Sequence, residues 1–223
     1  MDMNQIKNLV GEAVRDADLR PEEIPAIDLY VDQITSLTSD KLKEGSPRFH
    51  DRVLTKTMIN NYSKDGLLSP IKGKKYSKEQ FLQMLLVYSL KNTLSIGEIK
   101  HVLQNVYALP DCDEKWLEAS YARFLDVKEC QRQELGELVE RFVKKHDLDV
   151  ACDADFFVLL LGLSALSSYL KNTVQSLLEV RYPDVETAAR EKKEETKRQQ
   201  KEERKAAKSK KEAAEPLEGA EQA

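Results

Sequence analysis

Between Leu54 and Phe81 the chain reads L-T-K-T-M-I-N-N-Y-S-K-D-G-L-L-S-P-I-K-G-K-K-Y-S-K-E-Q-F, and this run restricts the fold more than any other. Thr55 stands where a helix N-cap belongs, and Gly66 stands where a left-handed C-terminal stop belongs, so the spacing predicts a helix of about three turns over 55–65. Pro70 then blocks helix, Gly73 permits a tight turn, and Lys72, Lys74 and Lys75 cluster at the tip of a hairpin-sized loop. Ser77 and Gln80 form a capping box that opens the next helix. A capped helix, a glycine stop, a basic loop and a second capped helix are, in that order, the parts of a winged helix-turn-helix.

The first of these helices divides into two stripes. Leu54, Met58, Ile59 and Tyr62 recur at spacings of three and four and face inward. Lys56, Asn60 and Lys64 follow at intervals of four on the outward side, with Thr57 and Asn61 beside them. Asn offers a bidentate match to an adenine edge, while Lys and Thr suit phosphates or bases. The same residues also suit an ordinary solvated helix face. Charge separates the readings further: Arg48, Arg52, Lys56, Lys64, Lys72, Lys74, Lys75 and Lys78 against Asp51 and Asp65 give 8 − 2 = +6 over 48–78, in a chain of net charge −4. Positive charge gathered in one segment of an acidic protein is the electrostatic footprint of a phosphate-binding module. The glycine-lysine pair is not a P-loop, because the leading strand and the earlier glycine are missing.

A second capping box, Ser95 with Glu98, opens a further helix. Phe81, Leu82, Leu85, Leu86, Leu90, Ile96, Ile99, Val102 and Leu103 are expected in the core beneath the recognition element.

On these residues the run resembles a family. L-T-K-T-M-I-N-N-Y-S-K-D-G-L-L resembles the recognition helix and exit of MerR-type regulators, K-K-Y-S-K-E-Q-F is similar to their wing exit and next helix, and L-S-I-G-E-I-K-H-V-L is similar to their fourth helix. The wider pattern, from I-D-L-Y-V-D-Q-I to about Leu103, resembles DUF1836, a bacterial domain family of unknown function that is itself similar to MerR modules. The resemblance implies a MerR-like winged helix-turn-helix over roughly the second to the fifth tenth of the chain, so the expected fold is mainly α: that module with a small β wing, then, from the residue pattern, an all-helical C-terminal half and a charged disordered or helical tail. It implies DNA contacts from Asn60, Asn61 and Tyr62 on the helix and from Lys74 and Tyr76 at the wing exit, to which the exposed stripe and the basic loop add Lys56, Thr57, Lys64, Lys72 and Lys75, and it favours a homodimer. The chain departs from the MerR pattern in having Asn60 and Asn61 at the recognition-helix positions, a shorter wing, and a long link K-E-G-S-P-R-F-H-D-R between the first two helices.

With 41% hydrophobic and 33% charged residues, 223 residues can hold one medium domain or two small ones. The expected division is an N-terminal amphipathic helix over 1–22, with Ile6, Leu9, Val10, Ala13, Val14 and Ala17 on one side, a winged-helix domain over 23–106, a helical domain over 107–183 and a charged tail over 184–223. In the helical domain Trp116, Leu117, Tyr121, Phe124 and Leu125, then Leu135, Leu138, Val139, Phe142 and Val143, recur at helical spacing around a polar K-E-C-Q-R-Q-E; this half is expected to pack on the winged helix or to form a dimer face.

Phe156–Leu163 is too short an apolar run for a membrane span and reads as a buried helix running to about Val180, with Asp153 or Asp155 as its cap. In the tail eleven basic and eleven acidic residues cancel, 11 − 11 = 0, which suits a solvated, transiently helical or disordered segment. Cys112, Cys130 and Cys152 are widely spaced, and His50, His101 and His146 show no ligand spacing with them, so a reducing cytoplasm, no zinc and no cofactor are expected. The start of the chain does not read as a signal peptide. No nucleophile-base pair or paired catalytic carboxylates are legible, so an enzyme is the least supported class. The expectation is a DNA-binding transcriptional regulator of unknown effector; the alternative is a protein-interaction module on the same scaffold.

Overall fold

The computed structural model describes residues 1–71 and 73–183. The expected charged tail and Lys72 lie outside the described residues. Two compact units divide the chain, 1–176 and 177–223. Of the second, the end of the last helix is described, where the Tyr182 N–H bonds the Leu178 carbonyl at 2.8 Å.

The fold is mainly α, with seven α-helices and one two-stranded sheet among the described residues. Helix α1 is Met3–Val14, strand β1 Leu29–Tyr30, α2 Val31–Leu42, α3 Lys56–Lys64, β2 Lys75–Tyr76, α4 Lys78–Leu90, α5 Ile96–Tyr107, α6 Glu114–Lys145 and α7 Asp153–Arg181. Helix α4 is apolar on all sides, and Phe81, Leu82, Met84 and Val87 are almost completely enclosed, so it runs through the core while α2, α3, α5 and α6 supply Ile34, Ile59, Ile99 and Leu117 to it. The capping boxes form as the sequence spacing requires: the Ser77 N–H donates to Gln80 Oε1 at 2.9 Å, and the Ser95 N–H to Glu98 Oε2 at 2.7 Å.

Helix α6 is a single rod of 32 residues, and the polar stretch in its middle has a structural task. Lys128 Nζ lies 2.5 Å from Asp16 Oδ2 and 2.8 Å from Asp18, and Arg132 Nη2 lies 2.5 Å from both Asp16 Oδ1 and Asp18 Oδ2. Arg132 Nε also donates to the Val14 carbonyl at 3.1 Å, tying the end of α1 to α6. Burial pushes the Asp16 pKa up, but hydrogen bonds from Lys128 and Arg132 outweigh it and hold the carboxyl below its ordinary value. On either side of this cluster α6 packs apolar residues: Leu117, Tyr121 and Leu125 toward one end, and Val139 and Val143 toward the other, where Ile6 of α1 and Leu159 of α7 meet them.

Three expectations need correction. The inward face of α1 is Met3, Ile6 and Val10, whereas Leu9 is 59% exposed and Ala17 lies beyond the helix end. Helix α7 is not a buried helix: Leu159 is its only buried residue, and Phe157, Val158, Leu160 and Leu161 are about half exposed or more. Apolar on several faces, α7 buries one stripe, through Leu159, against α6 and Ile6 of α1 and leaves much of the rest uncovered; it is long and apolar enough, by length and composition only, to cross a membrane. Asp153 and Asp155 sit within its first turn rather than before it. Gly162 faces α6, where an added Cβ would run into the Phe142 ring. Of the expected small β wing, the described residues form one short strand, β2, which pairs with β1.

Candidate functional site

Helix α3 is held from both ends and from one side. Thr55 Oγ1 accepts from the Met58 N–H at 3.3 Å. At the other end Gly66 adopts φ +69°, the Leu67 N–H bonds the Tyr62 carbonyl at 2.9 Å and the Gly66 N–H bonds Ser63 at 3.2 Å, which together make a Schellman stop. Leu54, Ile59 and Tyr62 are buried, and Lys56, Thr57, Asn60, Asn61 and Lys64 are all exposed. The structure therefore brings five of the expected site residues onto one open stripe of one rigid helix.

The basic loop is fixed by an unexpected pair of amides. Gln83 is 1% exposed in a helix otherwise lined with Leu, Met, Phe and Val, so its polar atoms require partners. Its Oε1 accepts the Ser69 N–H at 2.8 Å, and its Nε2 donates to Ser69 Oγ at 2.8 Å and to Glu79 Oε1 at 3.1 Å. Gln80 Nε2 donates to the carbonyls of Ser69 and Pro70 at 3.1 and 3.0 Å. With the Ser69 N–H taken and Pro70 having none, the near limb of the loop has no donors there for a strand ladder. The far limb, β2, instead pairs antiparallel with β1, Leu29 opposite Tyr76 and Tyr30 opposite Lys75. The alternation of the ladder buries Leu29 and Tyr76 on one side. On the other it places Lys75 Nζ 5.0 Å from the centre of the Tyr30 ring. Lys74 is exposed beside Gly73, which takes φ +82°.

Two expected contacts are corrected by burial. Tyr62 is 4% and Tyr76 7% exposed, so both phenol side chains support the element from within. The Tyr62 hydroxyl has no hydrogen-bond partner among the described residues, and burial pushes its pKa up to about 12, with Tyr88 adding to the shift. The charge count also changes in three dimensions. Lys56 forms an ion pair with Asp32 of α2, and Lys78 pairs with Glu118 of α6 at 2.9 Å.

Lys100, which the sequence did not mark, reaches the α3 exit, its Nζ 3.7 Å from where a Gly66 Cβ would sit. The connection from α2 to α3 carries a single 3-10 turn at Pro47–Phe49 and is much longer than the three or four residues of a tight helix-turn-helix. The three cysteines are free, and among the described residues no group of His, Cys, Asp and Glu could hold a metal ion.

Residues 19–124 match the family model described as a domain of unknown function, DUF1836, a span that takes in β1, α2 to α5 and the first part of α6. The match supports assignment of this segment to that domain family. No curated protein and no solved structure matches the chain.

Proposed function

We propose that this chain is a DNA-binding transcriptional regulator, a winged helix-turn-helix related to the MerR type, in which α3 enters the major groove and the Gly73–Lys75 turn holds phosphate. The observation that carries the reading is the open stripe of α3: two amides, two amines and a hydroxyl side by side on a helix whose opposite stripe is locked into the core and whose two ends are capped. In this reading Asn60 and Asn61 meet base edges, Lys64, Lys74 and Lys75 meet phosphates, and Lys56 exchanges Asp32 for phosphate on binding.

A homodimer completes the reading. The uncovered residues Phe157, Val158, Leu160 and Leu161 lie at the start of α7, and a second copy covering them would give the two-fold symmetry that half-site recognition uses. One observation favours a protein-interaction module instead: Lys56 and Lys78 already have carboxylate partners, which leaves less free positive charge than the sequence suggests.

The test separates contacts to bases from contacts to phosphates. Asn60→Ala is expected to relax preference at one base position at a cost there of about 1–3 kcal/mol, whereas Lys74→Ala is expected to weaken every sequence alike and flatten the salt dependence by about one phosphate, measured by anisotropy titration over a salt series. Equal loss on all sequences from Asn60→Ala would remove the base-reading role of α3.

A further inference from the structure

A cleft of about 220 Å³ opens among the Asp16–Leu19 link, α2, the link before α3, α4 and the first part of α6. Its size is below the roughly 300–1,000 Å³ of sites for drug-sized ligands, so it suits one ring or a short chain. Phe49, Leu54, Leu85, Tyr121 and Phe124 give it an apolar body.

The charges on its wall are Asp16 and Asp18 against Lys41, Arg52 and Lys128, 3 − 2 = +1. Four of these five are already satisfied. All four oxygens of Asp16 and Asp18 are bonded to Lys128 or Arg132. Lys41 Nζ is held by Glu23 at 2.6 Å and Glu44 at 2.8 Å. Arg52 makes no ion pair among the described residues; its guanidinium stands 5.0 Å from the centre of the Phe49 ring and is exposed at the cleft mouth.

The backbone there is pinned, since Tyr88 Oη donates to the Arg52 carbonyl at 2.5 Å. Lys91 Nζ lies 3.8 Å from the centre of the Tyr88 ring, and its pKa is lowered first by burial and then by Arg52, so the charge of a second cation reaches this end of the cleft. A cationic ligand would find both wall carboxylates taken. An anion would find a planar five-donor fork standing open beside an aromatic wall.

We propose that this cleft binds a small organic monoanion, a single apolar ring or short chain bearing one carboxylate, with the carboxylate on Arg52 and the apolar body between Phe49, Leu85 and Phe124. Binding does not depend on the regulator reading, although Leu54, which walls the cleft, directly precedes the Thr55 cap of α3 and would carry occupancy to that helix.

The experiment is calorimetric titration of the full chain, without DNA, using phenylacetate, hexanoate, phenylacetamide and phenethylammonium. The expected result is that at least one carboxylate binds ten-fold or more tighter than the amide and the ammonium. Arg52→Gln is expected to abolish that preference, Arg52→Lys to keep part of it, and both to leave the circular dichroism spectrum unchanged. Absence of binding by both carboxylates at millimolar concentration, equal binding of the amide or the ammonium, or an undiminished preference in Arg52→Gln would each overturn the proposal.

Discussion

Tyr62 shows how one residue can satisfy two readings that the structure then separates. Helical spacing places it on the inner stripe of α3, and the family resemblance places it among DNA contacts; its 4% exposure supports the first. Because its hydroxyl is buried without a partner among the described residues, it contributes desolvation cost and no hydrogen bond there. Tyr62→Phe is therefore expected to raise stability by about 1 kcal/mol and leave any DNA affinity unchanged, as read from urea denaturation beside a binding titration. Lower stability with weaker binding would mean that the hydroxyl has a partner that matters.

At the scale of elements, what the sequence made legible was local. Thr55, Gly66 and the two capping boxes act over three or four residues, and each forms as its spacing requires. The strand pairing was not legible, because β1 and β2 are two residues each and far apart in the chain, too short for any alternation to register. The exposed stripe of α3 could be read from periodicity, but Lys100 at its exit could not, since nothing local links it to Gly66. The Gln83 clamp did leave a signal, an amide inside an apolar stretch of α4, whose partners only the fold could supply. Gln83→Leu is expected to cost about 1–3 kcal/mol by stranding the Ser69 N–H, and to raise amide exchange over 69–71 and 73–76 before the rest of the domain. Unchanged exchange in that loop would show that β2 alone holds it.

For the molecule as a whole, the union of the N-terminal segment with α6 depends on partners more than 100 positions apart, which no periodicity reveals. The polar stretch between the two apolar patches of α6 supplies Lys128 and Arg132, which pair with Asp16 and Asp18. Its pH dependence has a definite sign. Asp16 has a pKa below its ordinary 3.8, so its stabilising effect is complete above that value and is lost as pH falls through the lower, folded one. Asp16→Asn is expected to cost about 2 kcal/mol at neutral pH and progressively less below about pH 4, followed by thermal unfolding across a pH series. A cost that stays constant to pH 2 would place the effect in packing rather than in charge.

Sequence readout by the proposed recognition helix α3 is tested by selecting bound fragments from a random duplex pool with the full chain at about physiological salt, where non-specific contacts are already weakened. The expected result is an enriched motif, two-fold symmetric if α7 pairs two copies, and loss of one of its positions in Asn60→Ala. A folded, soluble protein that enriches no sequence would contradict it.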